Sequence, residues 1–174
     1  MEFKNRNIIF IGGIHGVGKG TICKKISVSK KITHLSASKV LKWNEISIKE
    51  NKLVNSLDTT QNRLIKGLNA LIQNTETYLL DGHYCLLNSK SKPEKVSEKT
   101  FKIIDPKVMA IVIEDVEIIY ERLKQRDGTK YSLSLLDEMQ KMEINYAKYL
   151  SSKFSKPYIE IHNSNYGTLN KYLP

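Results

Sequence analysis

Cysteine is nearly absent from this chain: Cys23 and Cys85 are the only two among 174 residues. Two thiols at that spacing make neither a disulfide framework nor a recognisable metal motif, so both are expected as buried or bystander groups. Long apolar runs are missing too, since none approaches the roughly 20 residues that span a bilayer. The opening MEFKNRN is too polar for a signal peptide. A cytoplasmic protein without membrane attachment is therefore expected. Proline numbers only four, and there is no repeat, low-complexity tract or Pro/Gly linker. That favours a single domain over residues 1–174. Arginine is as scarce: of 28 basic residues only Arg6, Arg63, Arg122 and Arg126 are arginines.

The composition is otherwise that of a globular protein, with 40% hydrophobic and 26% charged residues. A net charge of +10 suits phosphate-rich partners. The lysines are spread along the whole chain, however, without a basic block interleaved with aromatics. The charge thus fits small anionic substrates better than nucleic acid. A monomer or small homo-oligomer is expected.

Short apolar runs alternate with helical stretches. Strands are expected at Ile8–Gly12, Thr33–Ser36, Thr77–Asp81, VMAIVIE (108–114) and YIEIH (158–162). Helices are expected over about 18–28, 38–49 with Ser38 as N-cap, 59–74, 97–104, from the Asp115 cap to about 124, and 134–153. The stretch GHYCLLNSKSKPEKV (82–96) reads as irregular. Strand VMAIVIE lacks alternation and looks buried on both faces, as a central parallel strand does. The alternation predicts a three-layer α/β/α fold with a five-stranded parallel sheet.

Glycine is sparing as well, with nine in all, yet five fall within residues 12–20, in GGIHGVGKG. They follow a strand and open a helix, the context of a phosphate-binding loop. Gly13, Gly16 and Gly18 allow the backbone to curl so that successive N–H groups point inward, and the helix adds its positive dipole end. His15, Val17 and Gly20 complete the loop, and Lys19 reaches the β- and γ-phosphates of a nucleoside triphosphate such as ATP. The usual Gly-Lys-Ser/Thr ending is here Gly-Lys-Gly-Thr, with the hydroxyl at Thr21. Asp81, ending an apolar strand, and Thr21 are the candidate oxygen donors for Mg²⁺.

The GKGT ending resembles that of adenylate kinases and related nucleoside monophosphate kinases. TQNRLIKGL (60–68), YLLDGHYCLL (78–87) and IIDPKVMAIVIEDVEIIYERLKQRD (103–127) extend the resemblance, most closely to the archaeal-type adenylate kinases, over about residues 7–162. It implies a P-loop kinase core with an acceptor-binding helical region (about 38–75) and a short lid (about 126–133). It places Asp81 near the metal, and aligns Arg126 and Arg122 with lid arginines that close on the transferring phosphoryl group. Asp127 and Lys130 flank them, and Gly128–Thr129 would be the hinge. Arg63 falls in the helix that holds the acceptor nucleotide in that family, beside Gln61 and Asn62.

The remaining assignments rest on position. His83 fits either an acceptor contact or satisfaction of backbone groups. Arg122 fits either catalysis or a surface ion pair, with no acidic residue at i−4. Trp43 is expected in the core with Val40 and Ile46, and His162 and Asn163 near the adenine. The chain departs from the archaeal type in carrying Lys130 and Tyr131 where further lid arginines stand. It also lacks the glycine-rich turn after His83.

The expected activity is transfer of the ATP γ-phosphate to a nucleotide acceptor, AMP being the first choice. Two alternatives remain open. One is a kinase for a non-nucleotide hydroxyl, with His83 or Asp81 as base. The other is a nucleotide-binding NTPase or switch whose basic surface engages RNA.

Overall fold

The computed structural model describes residues 6–41, 57–73, 75–88, 90–128 and 131–174, with backbone only for 57–62. β1 (Ile8–Gly12) leads through the glycine loop into α1 (Lys19–Lys30). β2 (Thr33–Ser36) and the single turn α2 (Ala37–Val40) follow, then α3 (Leu57–Leu71) and β3 (Tyr78–Asp81). A hairpin, β4 (Cys85–Leu87) and β5 (Pro93–Lys95), precedes α4 (Glu98–Ile104), β6 (Val108–Ile113), α5 (Val116–Asp127) and α6 (Leu133–Phe154). β7 (Tyr158–His162) and a 3₁₀ turn (Gly167–Tyr172) close the chain.

The main sheet has the order β2-β3-β1-β6-β7 with every neighbouring pair parallel. β1 is central and all five of its residues are buried. Successive side chains point to opposite faces, so Ile9 and Ile11 join one core with Ile22, Ile26, Leu79 and Leu123, under α1 and α5. Ile8 and Phe10 join the other with Leu64, Leu68, Phe101 and Leu150, under α3, α4 and α6. The two cores make the three layers, and the five-stranded parallel sheet is as expected. β6 is buried at five of its six positions, which explains its lack of alternation.

Local chemistry sets the helix starts. Asp115 accepts from Glu117 N–H at 2.8 Å and caps α5 as expected. Ser132 accepts from Leu135 N–H at the start of α6. Two readings need correction. α2 begins at Ala37 with Ser36, not Ser38, in the cap position. Residues 82–96, read as irregular, contain an antiparallel hairpin with Cys85 opposite Lys95 and Leu87 opposite Pro93. Each of its strands has three residues, too few for a period to register, and Pro93 is tolerated because the ladder is all edge. The stretch after Leu41 up to residue 56, with Trp43, lies outside the described residues. Among the described residues no helix is long and apolar enough to cross a membrane.

Candidate active site

The carboxyl ends of β1, β3 and β6 and the N-terminus of α1 meet at one edge of the sheet, where parallel α/β folds bind ligands. The loop after β1 is pinned by Ile14 and Val17, 1% and 2% exposed, which hold their side chains in the core. Its glycines are required by the backbone. Gly13 has φ +140° and a Cβ there would lie 2.9 Å from the Val112 carbonyl oxygen. Gly16 has φ +80° and a Cβ would lie 2.8 Å from Leu123 Cγ. Gly18 opens α1 with no side-chain cap, so the first N–H groups of the helix are left for another acceptor. A Cβ at Gly20 would meet nothing within 4 Å. Packing therefore does not demand glycine there, and the space beside the first turn, next to the exposed Thr21, stays open.

Lys19 is buried and curls back over the loop, its Nζ donating to Gly13 O at 2.7 Å and Ile14 O at 3.1 Å. Burial pushes its pKa below the usual lysine value, while the nearby carboxylates of Glu143 and Asp81 act in the opposite sense. His15 keeps an exposed surface but is densely surrounded. That surrounding, reinforced by His83, Lys19 and Arg126, lowers its pKa to about 4. Its ring lies 4.3 Å, centroid to centroid, from that of His83.

His83 sits between the loop and a residue the sequence reading missed. Its Nδ1 is 3.7 Å from Glu143 Oε1. Glu143, on α6, is fully buried, and the same oxygen accepts from the N–H groups of Tyr84 and Cys85 at 3.0 Å each. Its Oε2 has no hydrogen-bond partner among the described residues. The signal was present: Glu143 is the one acidic residue in the buried stripe Leu136, Met139, Gln140, Glu143, Tyr146, Ala147, Leu150.

Asp81 ends β3 as expected and is partly buried, with Oδ2 in direct contact with His34 Nε2 from β2. The arginines are largely engaged. Arg122 reaches from α5 to the loop, Nη1 donating to Gly16 O at 3.3 Å and Nη2 to Glu114 Oε2 at 3.1 Å. The missing i−4 partner is thus replaced by one eight residues back, and this same arginine stands beside the phosphate loop. Arg126 forms a fork with the neighbouring Asp127, its Nη2 2.6 Å from Oδ2. Gly128 ends α5, and residues 129–130 of the expected lid lie outside the described ones. Arg63 is exposed on α3, while the side chains of Gln61 and Asn62 are not described. His162 pairs with Glu160 at 2.9 Å at the end of β7. Arg6 serves the fold, donating to Ile103 O and Asn69 Oδ1.

This geometry has relatives. An AAA domain family model matches residues 12–140, from the end of β1 into α6. Adenylate kinase isoenzyme 1 of Gallus gallus is 29% identical over 138 residues, covering 74% of this chain and 68% of that one. An unliganded sugar kinase from Janibacter sp. HTCC2649 superposes with a TM-score of 0.59 at 12% identity, covering 95% and 93% of the two chains. The YorR protein of Bacillus subtilis, solved with phosphorylated GDP, superposes with a TM-score of 0.55 at 16% identity, covering 95% and 91%. The strand order, the glycine loop and these matches together establish that the chain belongs to the AAA domain family and is built on the P-loop kinase fold.

Proposed function

We propose that this protein is an ATP-dependent phosphotransferase of the nucleoside monophosphate kinase type, passing the γ-phosphoryl group to AMP or a similar acceptor. The observation that carries the reading is the loop itself. A buried Lys19 is held over the uncapped N-terminus of α1, and Gly20 leaves open space beside it. The likeness to adenylate kinase isoenzyme 1 supports a nucleotide acceptor.

In this reading residues 1–174 act as one domain, a monomer or small homo-oligomer, in the cytoplasm. The loop N–H groups of Gly13, His15, Gly16, Val17, Gly18, Gly20 and Thr21 cradle the phosphates. Lys19 exchanges its bonds to Gly13 O and Ile14 O for phosphate oxygens. An acceptor phosphate oxygen, already ionised at neutral pH, attacks the γ-phosphorus in line, and no general base is needed. Arg122 keeps one edge of the loop in place, and Arg126 turns from Asp127 to the transferring group as the segment around 126–133 closes and excludes water. Arg63, on α3 within 38–75, and His83 serve the acceptor side. Thr21 and Asp81 offer the hard oxygen donors that suit Mg²⁺, which when bound would neutralise β/γ-phosphate charge.

The contact between His34 and Asp81 favours one second reading, a kinase for a small hydroxyl compound. Asp81, oriented by His34, would take the hydroxyl proton as the new O–P bond forms. One experiment tests both. Purified protein is incubated with Mg-ATP and panels of nucleoside monophosphates and of sugars and small alcohols, and products are separated by chromatography. ADP formed from AMP, and lost in Lys19→Ala, supports the first reading. A phosphorylated alcohol supports the second. ATP left intact with every acceptor overturns both.

A further inference from the structure

Cys23, His34 and Asp81 come from α1, β2 and β3, yet their ligand atoms all lie within 4.8 Å of one another. The sheet register explains the meeting. In the parallel β2–β3 pair, His34 stands opposite Leu79 and Ser36 opposite Asp81. His34 and Asp81 therefore share a face two positions apart. Leu79 marks that face as the one under α1, where Cys23 is fully buried in the same core. The His34 and Asp81 side chains are 24% and 17% exposed, which leaves one side of the trio open to solvent.

The donor set is a sulfur, an imidazole nitrogen and a carboxylate oxygen. Zinc-class ions take this combination, whereas Mg²⁺ prefers oxygen alone. Zinc bonds of about 2.0–2.3 Å place tetrahedral donors roughly 3.3–3.8 Å apart, so His34 and Asp81, now in direct contact, separate to admit an ion within the 4.8 Å span of the trio.

We infer that Cys23, His34 and Asp81 form a site for a zinc-class divalent ion, with water in the fourth position. On binding, the Cys23 S–H bond breaks, a sulfur–metal bond forms and the proton passes to solvent. His34 exchanges its contact with Asp81 for the metal. The ion then occupies the carboxylate that phosphotransfer is proposed to use, so zinc suppresses that activity. The binding itself does not depend on the kinase reading, and its test contains no nucleotide.

The full chain is titrated with Co²⁺ in a non-chelating buffer and followed by absorption. One equivalent is expected to raise a thiolate-to-cobalt charge-transfer band in the near ultraviolet and the visible bands of a tetrahedral ion. Zn²⁺ is expected to bleach both. Cys23→Ser abolishes the charge-transfer band, and His34→Gln weakens Co²⁺ binding by about tenfold or more. Circular dichroism checks the fold of each variant, and His34→Gln decides if Cys23→Ser does not fold. Absence of the band at stoichiometric Co²⁺ overturns the site. So does a band that survives Cys23→Ser and is lost in Cys85→Ser, or Co²⁺ binding unchanged in His34→Gln.

Discussion

Glu143 and Tyr84 are 59 residues apart in the chain, and the Glu143 carboxylate accepts the Tyr84 backbone N–H at 3.0 Å. The same oxygen takes the N–H of Cys85, and the Tyr84 hydroxyl donates to Ala110 O at 3.1 Å. One buried carboxylate thus ties the start of the hairpin to α6, directly beyond Asp81 and His83. The Tyr84 ring lies so close to Gly12 that a Cβ there would be 2.2 Å from it. The turn after β3 and the start of the phosphate loop are therefore held against each other.

Glu143→Ala leaves two buried N–H groups without an acceptor. At about 1–3 kcal/mol each the variant loses roughly 2–6 kcal/mol of stability. Glu143→Gln keeps the accepting oxygen and loses less. Urea unfolding of the three proteins checks the order; equal losses in the two variants would show that charge, not hydrogen bonding, is what Glu143 supplies.

Gly16 and Gly20 separate backbone need from ligand need. Gly16→Ala places a side chain at φ +80° against Leu123 and is expected to cost about 1–3 kcal/mol. Gly20→Ala stands in α1 with open space around it and gains about 0.5–1 kcal/mol, while weakening ATP binding by filling that space. Thermal melts with and without Mg-ATP read both effects. A Gly20→Ala protein that binds ATP as the parent does would remove Gly20 from the cradle.

The two α5 arginines should fail differently. Arg122→Lys loses the fork that joins Gly16 O to Glu114, so the KM for ATP rises severalfold with kcat less affected. Arg126→Ala removes a cation proposed to act only in the transition state, and kcat falls on the order of 10²-fold with little change in KM. Steady-state kinetics on whichever acceptor the panel of nucleotides and alcohols yields decide this, and reversed patterns would exchange the roles.

His15 makes the protein sensitive to mild acid. Its folded pKa of about 4 lies below the ordinary histidine value of 6.5. The unfolded chain therefore binds the extra proton first as pH falls. The corresponding stability is present in full above about pH 6.5 and is lost on the way down to about 4. His15→Asn removes this dependence, so its melting temperature declines less across that window. Parallel declines in parent and variant would remove His15 as the cause.

Local stretches of sequence sufficed for the glycine loop, the five main strands and the cap at Asp115, because each depends on residues within a few positions of one another. Gly13, Gly16 and Gly18 are where the backbone needs positive φ, and that need is written in residue type. What only the tertiary structure decided involves partners distant in sequence. The order β2-β3-β1-β6-β7 is not the order of the chain, and it alone brings His34 to Asp81 and both to Cys23. Arg122 finds Glu114 just ahead of the cap of its own helix rather than one turn back along it. The hairpin of residues 85–95 rests on Glu143 far downstream, since three-residue strands carry too little pattern of their own. A buried charge has to find its partners wherever packing brings them, and packing is set by the whole chain at once.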